Sequence, residues 1–357
     1  MYTETYSPLQ TGQKVGILTS GGDAPGMNAL IHSINEQAYA MGHETIAFEN
    51  GYQGLIENKH RKIVPSNIEP YIDLGGSCIR SARCDAFRDA QPRKLAALNL
   101  EKLNIGKLIV AGGDGTFRGI HDLSFDTDID LVGVPSTIDN DMPFTRYSLG
   151  FDSAAAVNET LFKYDKASNH SLNRVVIGEI MGRDCGELAH EVAHRIGADF
   201  LLVRELGLSE REIVHQALDR VKQLKALGQK DITIVGVENF VDLPRLAYRI
   251  KEVTGLDARV CNHSYAQRGA DATQPEKQYA RKFAHLAMTA PRISFGIADQ
   301  VYFKSPPSNN AQAVGVRNDG EFYTTPMSHA LDIKQKLTDI AQIPEPTEAR
   351  QSDLMLF

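Results

Sequence analysis

The sequence predicts an α/β protein of two lobes, each a mainly parallel sheet flanked by helices, with the active site between them. Three observations point there. Short apolar runs ending in glycine-rich or polar turns recur along the chain, and most lead into segments of helical period, the alternation that builds parallel sheets. A second such series opens after Gly150. The length of 357 residues exceeds one minimal domain and suffices for two buried cores.

Taken in order, residues 1–13 are polar, carry Pro8 and Gly12, and lack the basic start and apolar stretch of a secretion signal, so a flexible N-terminal arm is expected. Val15 to Thr19 reads as a strand entering the turn Ser20-Gly21-Gly22-Asp23-Ala24-Pro25-Gly26, with a helix from about Met27. Leu108 to Ala111 likewise enters Gly112-Gly113-Asp114-Gly115-Thr116 and a further helix. Leu131 to Val134 is a buried-strand pattern followed by Pro135-Ser136-Thr137-Ile138-Asp139-Asn140-Asp141. In the second series Val175 to Ile180 ends in Met181-Gly182-Arg183, Asp199 to Val203 follows, and Ile232 to Val237 ends at Glu238. Ser209 and Glu212 form a capping box ahead of a helix whose apolar face is Ile213, Val214, Ala217, Leu218 and Val221. Arg292 to Asn310 reads as an insertion, and 336–357 as a tail. Ligands of open α/β sheets sit beyond the carboxyl ends of strands, so the turns are where chemistry is expected.

Composition narrows the classes. Charged residues make up 23% and hydrophobic ones 42%, ordinary for a globular enzyme, and the net charge of -7 argues against nucleic-acid binding. Cys78, Cys84, Cys185 and Cys261 form neither paired motifs nor a dense framework, which predicts reduced thiols. No run approaches the roughly 18 apolar residues of a membrane span, so a cytoplasmic protein without membrane contact is expected.

The Gly112 turn suits phosphate, because backbone N–H groups at a helix N-terminus cradle anions. Asp114 is a poor neighbour for phosphate unless Mg²⁺ lies between them. Diacylglycerol and NAD kinases carry a similar turn, so it does not choose among kinases. The Pro135 to Asp141 turn adds two carboxylates and a hydroxyl. An alcohol attacking phosphorus needs a positioned base, and Asp139 is the candidate. Thr137 can hydrogen-bond the transferring phosphoryl, and Asp141 can orient the base or share in metal binding.

Together, Gly16 to Ala29, the Gly112 turn, Pro135 to Asp141 and Met181-Gly182-Arg183 resemble the ATP-type bacterial 6-phosphofructokinases in order and spacing, from about Lys14 to Ile333. The resemblance implies that Gly22, Gly113, Asp114, Gly115, Thr116 and Gly119 surround the donor phosphates, that Asp114 binds Mg²⁺, and that Asp139 takes the proton of the 1-hydroxyl of fructose 6-phosphate. Arg83 falls on the arginine bridging the donor and acceptor phosphates, with Cys84 beside it, and Arg183 assists. Tyr52 and Arg88 match positions lining an adenine pocket. Thr137, Ile138, Met181, Gly182 and Glu238 would contact the sugar, and Arg174, Arg259, Tyr265 and Arg268 its 6-phosphate. In the family, Arg174 and Arg259 come from a neighbouring subunit, implying a homo-oligomer, dimer or tetramer, with shared sites. The implied lobes are 14–150 plus about 267–311 for the donor, and 151–266 plus about 312–335 for the sugar phosphate.

Three departures stand out. Tyr265 replaces a clamp histidine; Ser136 stands where ATP enzymes usually have glycine and pyrophosphate enzymes lysine; His32 and Glu36 replace two effector-binding arginines. The last predicts weak responses to ADP and phosphoenolpyruvate, with Lys166 and Lys230 still able to hold an anion. Gly115 favours ATP, since pyrophosphate-dependent relatives place an aspartate there. The alternative, a pyrophosphate donor, rests on Tyr265 and the missing glycine at 136. An NAD or lipid kinase would not need Met181-Gly182-Arg183, and a non-catalytic subunit would be expected to lose Asp114, Asp139, Arg83 or Arg183.

Overall fold

The computed structural model describes residues 2–5, 8–295 and 310–333. The expected tail at 336–357 and most of the expected insertion, 296–309, lie outside the described residues. The chain forms two compact units.

The first unit begins with β1 (Tyr2–Thr5), β2 (Lys14–Thr19), α1 (Met27–Ala40), β3 (Thr45–Phe48), α2 (Gly51–Ile56) and β4 (His60–Ile63). It continues through α3 (Pro65–Ile68), α4 (Ala90–Lys102), β5 (Ile105–Gly112), α5 (Asp114–Leu123) and β6 (Asp130–Pro135). The second unit contains α6 (Phe151–His170), β7 (Val175–Ile180), α7 (Glu187–Ile196), β8 (Phe200–Leu202) and α8 (Glu210–Ala226). It closes with β9 (Thr233–Val237), α9 (Leu243–Thr254), β10 (Ala258–Asn262) and the short α10 (Ala266–Gly269). The chain then rejoins the first unit as α11 (Gln274–Thr289), β11 (Arg292–Phe295), β12 (Ala311–Val316) and β13 (Phe322–Pro326), and residues 327–333 are helical.

The larger sheet runs β13-β12-β6-β5-β2-β3-β4, parallel except for the antiparallel edge strands β13 and β4. Both faces are covered, which is why the central strands β2, β5 and β6 are largely apolar and buried. On one face Val15, Ile17, Ile109 and Val132 meet Leu30 and Ile34 of α1 and Phe283 and Ala287 of α11. On the other, Leu18, Leu108 and Val110 meet Ala97 and Leu100 of α4 and Phe117 and Ile120 of α5. One lysine is buried in this frame: Lys107 Nζ donates to the carbonyl oxygens of Ala287 (3.1 Å), Met288 (3.0 Å) and Ala290 (3.4 Å), where α11 ends.

The second sheet, β10-β7-β9-β8, is wholly parallel. α8 is capped as its sequence predicts: Glu212 N–H donates to Ser209 Oγ (3.3 Å), and Ser209 N–H to Glu212 Oε2 (2.9 Å). Its predicted apolar face is buried with α9 against this sheet.

Three expectations change. β12 pairs in parallel with β6 and β13 pairs with β12, so 311–326 belongs to the first unit's sheet rather than to the second lobe. Residues Ile138–Asp141, expected in the first lobe, group with the second unit. Tyr2–Thr5, expected within a flexible arm, pairs antiparallel with Arg292–Phe295. Backbone ladders between residues nearly 290 positions apart leave no local sequence signal.

Candidate active site

In the first unit, β2 has β3 on one side and β5 on the other, so the chain reverses its direction of progress across the sheet there. Such a switch point opens a crevice beyond the carboxyl ends of the strands. The turn Gly21-Gly22 leaves β2 at this place, and Gly113 leads from β5 into α5. They approach closely: a Cβ on Gly112 would lie 2.4 Å from Thr116 Oγ1 and 2.5 Å from Ser20 O, so only glycine fits. Thr116 Oγ1 donates to Ser20 O (3.0 Å), and Ser136 N–H donates to Gly112 O (3.0 Å).

The segment bearing Arg83 is sewn to the same turn. Gly21 N–H donates to Ala82 O (3.1 Å), Ser81 Oγ to Gly21 O (3.0 Å), and Thr19 Oγ1 to Arg80 O (2.9 Å). These bonds gather Gly22, Arg83, Gly113, Asp114 and Thr116 on one rim, with Arg83 and Gly22 exposed. Asp114 opens α5, where the helix dipole favours an anion, and its Oδ2 lies 3.4 Å from Arg118 Nε. Among the described residues no cluster of three or more His, Cys, Asp or Glu side chains is arranged for a metal. A single half-buried carboxylate beside a glycine turn fits Mg²⁺, which takes most of its ligands from phosphate and water.

One expectation about the nucleotide side is corrected. Tyr52 is only 3% exposed: its ring stacks on Phe87 at 3.9 Å, its hydroxyl donates to Thr116 O (2.7 Å), and it fills the space where a Cβ on Gly119 would sit (2.7 Å). It supports the turn from below and presents no open aromatic surface. Ser136 is 1% exposed, so its side chain is packed beneath the turn rather than offered to a donor. Cys84 donates from Sγ to Gln53 Oε1 (3.2 Å), and partial burial pushes its thiol up. Arg88 is exposed and 3.6 Å from Asp85.

The second unit gathers its own group at the carboxyl ends of its parallel strands: Met181-Gly182-Arg183 after β7, Glu238 after β9, and Tyr265 and Arg268 after β10. Gly182 and Arg183 take φ of 145° and 54°, a region that costs a side chain strain. Glu238 Oε1 accepts from the N–H groups of Gly182 (3.3 Å) and Arg183 (3.1 Å). One oxygen of Glu238 therefore braces this turn, a role the sequence did not announce. Asp139 belongs to the same unit. Burial pushes its carboxyl up, the neighbouring Asp141 charge adds to the rise, Arg268 and Arg183 oppose it, and Glu238 adds to it again. Ile138 is fully buried, and Thr137 O, in the first unit, accepts from Ser148 Oγ (2.7 Å).

Arg174 and Arg259 lie elsewhere. Arg174 immediately precedes β7, Arg259 pairs with Val176, and both lean on Asp257 Oδ2 at 3.6 Å. Asp257 itself is held down by its hydrogen bond and charge contact with Lys251, then by Arg259 and Arg174. With β7 spanning Val175–Ile180, roughly 17 Å of strand separates this pair from Arg183 and Arg268. One second unit does not close Arg174, Arg259 and Arg268 on one phosphate. Tyr265 is 78% exposed. His32 and Glu36 form a pair at 3.6 Å along α1, and Lys166 Nζ donates to Ile196 O (3.1 Å).

Sequence reasoning missed Asn158, His263 and Gln267. Gln267 Oε1 accepts from Met181 N–H (3.1 Å) and Asn158 Nδ2 (3.2 Å), binding three distant segments together. The only hint was that Gln267 neighbours Arg268.

The phosphofructokinase family profile matches residues 14–290. An ATP-dependent 6-phosphofructokinase of Tolumonas auensis is 35% identical over 276 residues, 77% of this chain and 85% of that protein. One from Clostridium botulinum (strain Loch Maree) is 33% identical over 335 residues, 92% of this chain and 98% of that protein. The solved phosphofructokinase of Saccharomyces cerevisiae superposes with a TM-score of 0.78 at 24% identity, covering 92% of this chain and 46% of the yeast one; this chain thus spans about half its length. A pyrophosphate-dependent phosphofructokinase from Marinobacter aquaeolei gives 0.71 at 20% identity, covering 89% of this chain and 83% of that one, a likeness of fold alone. Matched over most of its length by the profile and by relatives above 30% identity, this chain belongs to the phosphofructokinase family.

Proposed function

We propose that this chain transfers the terminal phosphoryl group of Mg-ATP to the 1-hydroxyl of D-fructose 6-phosphate, giving fructose 1,6-bisphosphate and ADP. Phosphoryl transfer is chiefly positioning and charge stabilisation. The backbone of Gly22 and Gly113 to Thr116 would hold the donor phosphates. Mg²⁺, held by Asp114 and phosphate oxygens, would supply positive charge there. Asp139, raised by burial and Asp141, accepts the proton of the 1-hydroxyl, Thr137 hydrogen-bonds the transferring group, and Arg83 and Arg183 stabilise its oxygens. Arg268 and Tyr265 receive the 6-phosphate from one copy, and Arg174 and Arg259 of a second copy complete the clamp.

The observation that carries the choice of donor is Gly115. Nothing lies within 4 Å of the position its Cβ would take in the first turn of α5, so that space is open to the α-phosphate and nucleoside. An aspartate there would fit the fold while setting a negative charge against a polyanion. Relatives at 33–36% identity that carry an ATP-dependent name agree with this choice. Initial rates with fructose 6-phosphate should give a kcat/KM for Mg-ATP at least about tenfold above that for Mg-pyrophosphate, some 1.4 kcal/mol. Gly115→Asp should erode the preference by raising the KM for ATP first. Pyrophosphate used as well as or better than ATP by the wild type would overturn the donor assignment.

A further inference from the structure

His263 lies two residues before the exposed Tyr265; its side chain is only 8% exposed, packed edge-on to Phe162 with ring centres 4.9 Å apart. Its Nδ1 is 2.7 Å from Asn158 Oδ1 and its Nε2 is 2.8 Å from Asp165 Oδ2. Asn158, Phe162 and Asp165 occupy one face of α6, so the imidazole is held by three consecutive turns of a single helix.

The partners determine what each nitrogen must do. Gln267 Oε1 receives the Met181 N–H, so it is an acceptor. Asn158 Nδ2, donating to that oxygen and to Ala154 O (2.8 Å), is thereby fixed as the amide nitrogen, which leaves Asn158 Oδ1 facing His263 Nδ1 as an acceptor. At the far side the carboxylate of Asp165 also accepts. Two acceptors require a hydrogen on both ring nitrogens, the imidazolium form. The Cys261 thiol beside Asp165 is pushed up to about 11, by burial first and then by that carboxylate, so it stays neutral.

We propose that His263 is a positioning residue for the sugar-phosphate clamp, its imidazolium locking Asn158, and through it Gln267, so that the Met181-Gly182-Arg183 turn and the turn bearing Tyr265 and Arg268 are held in register. The chain Asp165, His263, Asn158, Gln267, Met181 N–H links α6, the end of β10 and the end of β7 within one unit. Charge-assisted bonds at its first two links are about twice as strong as neutral ones, which makes the far end less free to drift. The role rests on the proposed reaction, whereas the protonation of the ring does not.

Two measurements separate those claims. In 15N-histidine-labelled protein at neutral pH, the resonances lost in His263→Asn should be those of two protonated ring nitrogens; an unprotonated nitrogen among them overturns the proposal whatever the protein catalyses. In kinetics, His263→Leu should raise the KM for fructose 6-phosphate by about tenfold, with the KM for ATP within about twofold of wild type. His263→Gln, which can still donate to Asn158, should recover part of that loss. Because His263→Leu strands the Asp165 carboxylate, His263→Leu with Asp165→Leu serves as the folded control and should keep the raised KM. A wild-type KM for fructose 6-phosphate in that folded double variant overturns the positioning role. Absence of fructose 6-phosphate phosphorylation in the wild type would instead defeat the functional proposal and leave the nitrogen measurement standing.

Discussion

At the scale of single residues, Asp139 couples chemistry to stability through one physical fact. Its raised carboxyl means the folded protein holds the proton more tightly than the unfolded chain does. Stability from this group is therefore complete below the ordinary aspartate range and declines as pH rises through the raised value. Asp139→Asn removes that penalty, so its thermal midpoint should equal or exceed that of the wild type at pH 7–8, with any gain vanishing near pH 4. The same substitution deletes the base and should lower kcat by roughly 10²- to 10⁴-fold. The acid limb of the wild-type kcat/KM profile should lie above the usual aspartate range, because the base must be ionised to act. A variant keeping more than about a third of wild-type kcat, or a clear loss of stability at pH 8, would remove Asp139 from this role.

Among elements, α11 shows how one buried side chain completes the end of a helix. Its last carbonyls would be unpaired inside the first unit, and Lys107 reaches from β5 to satisfy three of them. Lys107→Met preserves volume but leaves those acceptors without their donor, a cost of about 1–3 kcal/mol for each buried group left unmade. The thermal midpoint should fall by several degrees while kcat/KM stays within about twofold of wild type. An unchanged midpoint would mean that water or backbone movement satisfies the helix end instead. In the second unit the neutral counterpart is Phe162 against β7: a Cβ on Gly178 would lie 1.8 Å from Phe162 Cζ, so that strand position and that helix register are set together.

For the whole molecule, the separation of Arg174 and Arg259 from Arg183 and Arg268 is the consequential feature. Both groups belong to one small parallel sheet, yet they occupy opposite ends of its strands. If one copy's strand-start arginines serve another copy's clamp, Asp139→Asn chains mixed with Arg259→Ala chains should regain activity, because a hybrid can contain an intact site. Each variant alone should be inactive or nearly so. Verified hybrids without any recovery would show that the sites are not shared.

The alternation of apolar runs and glycine turns determined the parallel sheets, because period and turn chemistry are local properties of the chain. The Ser209 capping box and its buried face were legible for the same reason. So were the places of Gly22, Asp114, Arg183 and Glu238, each directly after a strand, where parallel sheets present ligand-binding turns. Tertiary structure decided what depends on approach between distant segments. It buried Tyr52 under Gly119, attached 311–326 to β6, and grouped Asp139 with Arg183 and Arg268. It also recruited His263, Asn158 and Gln267 into one hydrogen-bonded chain. A lone histidine and two amides carry no periodicity and no motif; their meaning arises only when folding removes water and leaves their polar atoms to bond one another.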